Sequence, residues 1–214
     1  MTSMINLIFT NSVLHLSPHF KGRAGCNLLT LEPNKDGTNV FPDGEAYARL
    51  AGLRSVRGRV IVIHSGAPHP NRGLAEFEMT LGILKRAGVR EVEAFFTYLP
   101  YGMQDKIERE GETNAAEDLL KKLVRYYGLS KVYAIDPHFG GASWLSGLPF
   151  VSVSAHDLLL STARTIYPDA LFVAPDKGHE HRTRVLKGFE KTRENSYTVT
   201  IHHDAAFMKG LSKS

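Results

Sequence analysis

The chain holds one cysteine, Cys26, so no intrachain disulfide can form, and a reducing cytoplasm suits it. The lack of cysteine pairs also argues against zinc, because His179, His181, His202 and His203 show no established ligand spacing such as H-E-x-x-H. No apolar run is long enough to span a bilayer, which excludes a membrane-spanning helix. The opening stretch, MTSMINLIFTNSVLHL, has no basic leading region and no small-residue cleavage site, so it reads as a buried strand and not as a signal peptide. No basic run carries interleaved aromatics that could stack on bases, so nucleic acid is not an expected partner. Internal repeats and low-complexity tracts are absent as well. What is there is a globular composition. The 214 residues, 43% of them hydrophobic, suffice for one large α/β domain or two small ones and are too apolar for a disordered chain. The formal net charge of +4 fits a slightly basic solvated surface or a site for an anionic ligand such as a nucleotide or sugar phosphate. Charge alone favours the first.

Short apolar runs alternate with helical patterns. Strands are expected at 5–9, 28–31, 47–50, 60–64, 92–96, 132–135, 150–153, 171–174 and 197–201, runs rich in Val, Ile and Phe such as strands covered on both faces carry. Leu74, Phe77, Leu81 and Leu84 recur at helical spacing, with Gly88 as the C′ residue. A second helix takes Thr113 as N-cap, Glu117 and Asp118 near its first turn, and Ala116, Leu119, Leu120 and Leu123 as its apolar face, with Gly128 after its end. A third runs from Ser154 as N-cap, with Asp157 three residues later, to Ile166. The alternation predicts parallel sheets joined by crossovers. A boundary is expected in the 140–147 stretch, GGASWLSG, dividing the chain into a domain over 1–145 and a shorter one over 146–214.

In doubly wound sheets ligands bind beyond the carboxyl ends of strands, so chemistry is sought there. The run at 92–96 is followed by a polar loop. In it Lys106 and Arg109 can neutralise phosphates, and Gln104 and Asp105 can bond a base or sugar; a solvated surface loop is the plainer account. After 132–135 comes Asp136-Pro137-His138. A carboxylate and an imidazole there can hold a metal directly or through water. Mg²⁺ prefers oxygen ligands and keeps waters, so His138 alone is more often a residue bonding backbone. After 171–174 comes Pro175-Asp176-Lys177-Gly178, where Asp176 is either a site carboxylate or a helix N-cap.

Taken together these loops resemble a family. Phe41-Pro42-Asp43-Gly44-Glu45 is similar to the F-x-D-G-E segment of the ribose-phosphate diphosphokinases, or PRPP synthetases. Tyr101-Gly102-Met103-Gln104-Asp105 with Arg109 resembles their Y-x-R-Q-D-x-x-x-R loop, and Asp136-Pro137-His138 their D-L-H turn. Pro175-Asp176-Lys177-Gly178 with Arg182 and Arg184 is similar to their P-D-x-G segment, and Glu190-Lys191-Thr192-Arg193 to their K-x-R loop. Each motif is short, but five stand in family order.

The resemblance implies an α/β, parallel-sheet, phosphoribosyltransferase-like fold with a complete N-terminal domain and an incomplete C-terminal one. It implies an Mg²⁺-dependent transfer of the diphosphoryl group of ATP to ribose 5-phosphate, giving PRPP and AMP for nucleotide biosynthesis, in a cytoplasmic homo-oligomer. Phe41 would stack on adenine, with Asp43 and Glu45 reading its amine, usually from a neighbouring subunit. Gln104, Asp105 and Arg109 would line the ATP pocket. His138 would sit at the Mg-ATP site and Asp176 near a second metal or the ribose. Lys191 and Arg193 would close over the phosphates, His138, Lys191 and Arg193 being the catalytic set. Phosphoryl-type transfer asks mainly for such positioning and charge neutralisation.

The sequence departs from the pattern in three places. Met103 replaces the first Arg of the R-Q-D loop, the stretch from Arg184 to Lys191 is shorter than the family's, and the ribose-phosphate loop D-D-x-x-x-T-G-T, due soon after Met208-Lys209-Gly210, is not reached before Ser214. A phosphate normally sits on the backbone N–H groups and helix N-terminus of that loop. Three functions are therefore expected in order: a diphosphokinase, a catalytically inactive nucleotide-binding homologue that regulates or scaffolds an active partner, and a phosphoribosyltransferase-like protein with another ligand.

Overall fold

A computed structural model describes residues 4–170, 172, 190–194 and 198–202. The chain falls into two compact units, Met1–Val153 and Ser154–Ser214.

The first unit is built on a sheet of β1 (Ile5–Phe9), β2 (Cys26–Thr30), β3 (Val60–Ser65), β4 (Val92–Tyr98), β5 (Lys131–Ile135) and β6 (Phe150–Val153). All six run parallel in the order β2-β1-β3-β4-β5-β6. The order reverses at β1, since the chain steps outward to β2 and then returns to the other side with β3. Such a reversal opens a crevice beyond the carboxyl ends of the two strands that flank it, here β1 and β3. The register between β3 and β4 shifts at His64/Ser65, so that Ser65 pairs with Tyr98. An irregularity of this kind at a strand end re-aims the chain that follows.

Two helices cover the sheet. α1 (Pro70–Arg86) starts on a proline, whose fixed φ and missing N–H suit a first turn. It buries Phe77, Leu81 and Leu84 as the periodicity predicts, together with Glu76 and Thr80, and Gly88 beyond its end has φ 74°. α2 (Ala115–Arg125) buries Ala116, Leu119, Leu120 and Leu123, the expected face. Its N-cap is Asn114 and not Thr113: Asn114 Oδ1 accepts the Glu117 backbone N–H at 3.0 Å, while the Thr113 hydroxyl turns to the Asp118 carboxylate. Asn114 also donates to the Asp105 carbonyl at 2.8 Å, so one side chain both starts the helix and pins the loop before it. Asn114→Ala is expected to lower stability by about 1 kcal/mol for the cap, read as a shift in urea midpoint.

Other local expectations are corrected. Residues 47–50 form no strand; only an isolated antiparallel bridge, Leu31↔Leu50, is made there. The segment after β1 coils into a 3-10 helix, Asn11–Phe20, so the strand does not run through the opening stretch. β4 extends to Tyr98, past the expected end at 96. The 140–147 stretch carries a short 3-10 helix, Ser143–Leu145, and leads into β6, the last strand of the sheet.

In the second unit α3 (His156–Ile166) has Ala155 as its cap residue, and Ser154 Oγ accepts the His156 N–H at 3.2 Å. β7 (Glu190–Arg193) and β8 (Val199–His202) pair antiparallel, with Lys191 opposite Ile201. The strand expected at 171–174 lies outside the described residues apart from Phe172. Among the described residues no helix is long and apolar enough to cross a membrane.

Candidate functional site

The loops that leave β3, β4 and β5 converge along one edge of the sheet, because their strands are neighbours. Gly66, just after β3, donates its N–H to the Tyr98 carbonyl at 2.8 Å. A side chain at Gly66 would meet the Pro100 backbone and ring at 2.8 Å, so this glycine lets two loops touch. Gly102 lies against Phe139 of the next loop, and Phe139 packs on Trp144 and Phe150 at centroid distances of 4.9 and 5.6 Å. Tyr101 has φ 60° and Asp136 φ 39°, uncommon backbone for residues other than glycine. Residues in such uncommon backbone cluster at functional sites in proteins generally, and these two stand just beyond neighbouring strands.

The loop after β4 is held from inside and open outside. The Asp105 carbonyl takes N–H groups from Asn114 and from Trp144 Nε1, the latter at 3.2 Å. The Tyr101 hydroxyl bonds Asn71 at the start of α1. Gln104 and Arg109 are exposed, and Asp105 is half-buried. Met103, where the resembled pattern has an arginine, is 59% exposed. Lys106 pairs with Glu108 at 2.8 Å, and that contact raises the lysine and lowers the carboxylate. The first cation after Met103 in the sequence is thus already matched by an anion.

His138 is exposed on the loop after β5, two residues from the Asp136 carboxylate. Among the described residues no three His, Cys, Asp or Glu side chains gather in a way that would hold a metal. Mg²⁺ commonly takes one or two protein carboxylates, the phosphates of its nucleotide and several waters. The exposed Asp136–His138 turn presents one carboxylate and one imidazole, a set compatible with that chemistry.

Phe41, Asp43 and Glu45 sit on a second structure, a tight antiparallel loop beyond β2. Val40 bridges Ala46, the Phe41 N–H donates to Glu45 O at 2.9 Å, and the Tyr47 N–H donates to Asn39 O at 2.9 Å. Asp43 Oδ1 accepts the Glu45 N–H at 3.1 Å and Gly44 turns with φ 92°. Phe41 stands edge-on to Tyr47, with centroids 5.8 Å apart, and is 40% exposed. The Phe41, Asp43 and Glu45 side chains are all on the surface. Gly44 borders a surface pocket of about 330 Å³ whose other walls are Pro68, His69, Pro70, Asn71 and Arg72.

The predicted residues therefore form two groups in the first unit. Phe41, Asp43 and Glu45 lie on the loop after edge strand β2; Gln104, Asp105, Arg109 and His138 follow β4 and β5. Three strand positions separate β2 from β4, roughly 14 Å at ordinary strand spacing. Lys191 and Arg193 are on β7 of the second unit, where Lys191 is exposed. Asp176 lies outside the described residues. Sequence reasoning passed over Asn11, Asn39, His64, Gly66 and Glu76, which tie the strand ends together. The polar triplet Thr10-Asn11-Ser12, directly after an apolar strand, was the signal available.

The family model for the N-terminal domain of ribose phosphate pyrophosphokinase matches residues 20–128. That span takes in Phe41, Asp43, Glu45, Gln104, Asp105 and Arg109 and ends before His138. Ribose-phosphate pyrophosphokinase from Mycoplasmopsis pulmonis is 26% identical over 170 residues, covering 78% of this chain and 52% of the relative. The Burkholderia pseudomallei enzyme of that name is 28% identical over 161 residues, covering 74% and 50%. The one from Thermococcus kodakarensis is 26% identical over 196 residues, covering 87% and 66%. The chain spans about half the length of the first two of these curated relatives. The crystal structure of phosphoribosylpyrophosphate synthetase from Mycobacterium smegmatis superposes with a TM-score of 0.72 at 20% identity, over 94% of this chain and 68% of that one, a likeness of fold.

Proposed function

This chain belongs to the ribose-phosphate pyrophosphokinase family, and from that premise we propose that it binds ATP and transfers the diphosphoryl group to ribose 5-phosphate. The C1 hydroxyl oxygen of the sugar attacks the β-phosphorus and the bond from that phosphorus to the oxygen bridging to the α-phosphate breaks. AMP leaves and the hydroxyl proton passes to solvent. The observation that carries this reading is the family match across residues 20–128, which contains Phe41, Asp43, Glu45, Gln104, Asp105 and Arg109. Phe41 offers an apolar face for a base, and Asp43 and Glu45 offer acceptors for its amine. Gln104, Asp105 and Arg109 contact the rest of the nucleotide. Mg²⁺, when bound, neutralises the phosphate oxygens. In this reading His138 bonds a water of the ion, Asp176 serves a second metal or the ribose, and Lys191 and Arg193 supply positive charge to the departing phosphates. A cytoplasmic homo-oligomer is part of the same proposal, because the family resemblance implies a nucleotide pocket shared between subunits.

One observation favours a second reading, a nucleotide-binding homologue without turnover that regulates or scaffolds an active partner. Met103 is exposed where the pattern has an arginine, and Lys106 is paired with Glu108. AMP release from Mg-ATP, with and without ribose 5-phosphate, separates the two. AMP formed only when the sugar is present is the expected result. A folded protein that binds Mg-ATP and releases no AMP would overturn the catalytic reading and leave the second.

A further inference from the structure

We propose that Glu76 is a positioning residue for the Phe41–Asp43–Glu45 loop, acting through Asn11 and Asn39; the nucleotide side of this inference rests on the function proposed above. Glu76 is buried on α1, 7% exposed, yet its partners are not on the helix. Its Oε1 accepts the backbone N–H of Asn11 at 2.8 Å, and its Oε2 accepts the Asn11 side-chain amide at 2.5 Å. Asn11 stands just beyond β1, at the strand reversal. Its Oδ1 in turn accepts Nδ2 of Asn39 at 3.0 Å. Asn39 is the residue whose backbone carbonyl closes the recognition loop by taking the Tyr47 N–H at 2.9 Å. Three side chains thus connect the helix, the strand end and the base of the loop.

The carboxylate gives this chain a direction. An ionised carboxylate only accepts, whereas an Asn amide can turn either way. With two acceptors on Glu76, Asn11 must present its NH₂ to the helix and its oxygen to Asn39. Asn39 must then present its NH₂ to Asn11. The consequence is visible at the far end: Asn39 Oδ1 is buried with no hydrogen-bond partner among the described residues. A buried acceptor left alone is costly, but turning the Asn39 amide over would not relieve it, since the NH₂ would then be unpartnered there and Oδ1 would face Oδ1 of Asn11. By fixing Asn11, Glu76 therefore also fixes the orientation of Asn39. A glutamine at 76 has one donor and one acceptor end and cannot satisfy both Asn11 donors, so the ordering is lost at nearly constant volume.

Amide hydrogen exchange on the full chain tests this without any ligand. Glu76→Gln and Asn39→Ala are each expected to speed exchange of the Phe41, Gly44 and Tyr47 amides by about tenfold, the upper end for one net hydrogen bond. The amides of β1, β3 and α1 are expected to keep their protection. Unchanged exchange in the loop would overturn the inference. Should Glu76→Gln loosen the whole domain, Asn39→Ala, a change on the half-buried loop side, decides alone by the same criterion. ATP and GTP binding, measured with Mg²⁺ and with Phe41→Ala alongside, separates the two layers of the argument. The positioning role predicts that Glu76→Gln narrows the preference for ATP over GTP, which a general loss of stability would not do. If Phe41→Ala leaves ATP binding unaltered, the nucleotide assignment of the loop falls while the exchange result stands. If Phe41→Ala weakens ATP and Glu76→Gln neither weakens it nor changes the preference, the positioning role falls.

Discussion

Acidification from pH 7 to pH 4 is expected to remove about 3 kcal/mol of stability through His64 alone. His64, next to last in β3, is fully buried, its ring stacked on Phe77 at 5.0 Å and edge-on to Phe96 at 5.9 Å. Its Nδ1 meets the Thr10 hydroxyl at 2.8 Å and the Ser12 hydroxyl at 3.3 Å. Its Nε2 is buried without a partner among the described residues, facing the first turn of α1 near Gly73. Burial pushes the imidazole down from its ordinary 6.5 to about 4, because the charged form would sit in an apolar wall. The folded state thus holds fewer protons than the unfolded one between pH 6.5 and pH 4, so stability falls as pH falls through that window and levels off below it. Urea unfolding of the wild type and of His64→Gln at pH 7, 5.5 and 4 measures the term by difference, since the other titrating groups are shared. Parallel pH profiles for the two proteins would refute the assignment. The effect bears on function because Thr10 and Ser12 lie at the strand reversal and Ser12 Oγ also accepts the Ser65 N–H at 3.1 Å.

On the function proposed above, Gly66→Ala is expected to lower Mg-ATP affinity by about 10- to 100-fold, the scale of loss that a displacement on the order of 1 Å can produce at a preorganised site. The added methyl group would come within 2.8 Å of Pro100 N and Cβ and 2.9 Å of Pro100 Cα. Most of that obstacle is backbone, so the two loops must part. The loop that moves carries Gln104, Asp105 and Arg109. Overpacking of this kind costs about 1–3 kcal/mol in stability as well. The single tryptophan gives a readout independent of nucleotide, since Trp144 Nε1 bonds the Asp105 carbonyl at 3.2 Å. A shifted emission maximum in the folded variant, together with weaker titration by Mg-ATP, is the expected pair of results. Wild-type emission and wild-type affinity would show that the loops accommodate the methyl group.

Both cases turn on residues that sequence inspection did not select, and the reason is distance along the chain. Thr10 and His64 are 54 positions apart, Asn11 and Glu76 are 65, and Asn11 and Asn39 are 28. None belongs to a local pattern. His64 reads as the last residue of an apolar strand and Glu76 as an ordinary polar position on an amphipathic helix. The misplaced 47–50 strand has the same origin: Tyr47-Ala48-Arg49-Leu50 has strand-like residues, but its backbone groups go to Asn39, Leu31 and Glu32 rather than to a sheet.

The sequence by itself determined the elements whose periodicity is strong and local. β1 and β6 begin and end where their apolar runs do, and α2 buries the four residues its spacing selects, because side-chain direction in a strand or helix follows from the backbone alone. Short motifs in family order also determined which family the chain resembles, and the match over residues 20–128 places it there. The tertiary structure alone decided the strand order, with its reversal at β1, and hence which loops share an edge. It decided that Gly66 must lack a side chain, that burial disfavours a charge on His64, and that Glu76 is joined through Asn11 to Asn39 at the base of the Phe41–Glu45 loop. These are properties of contacts between distant segments, and such contacts exist only once packing has brought the segments together and removed the water between them.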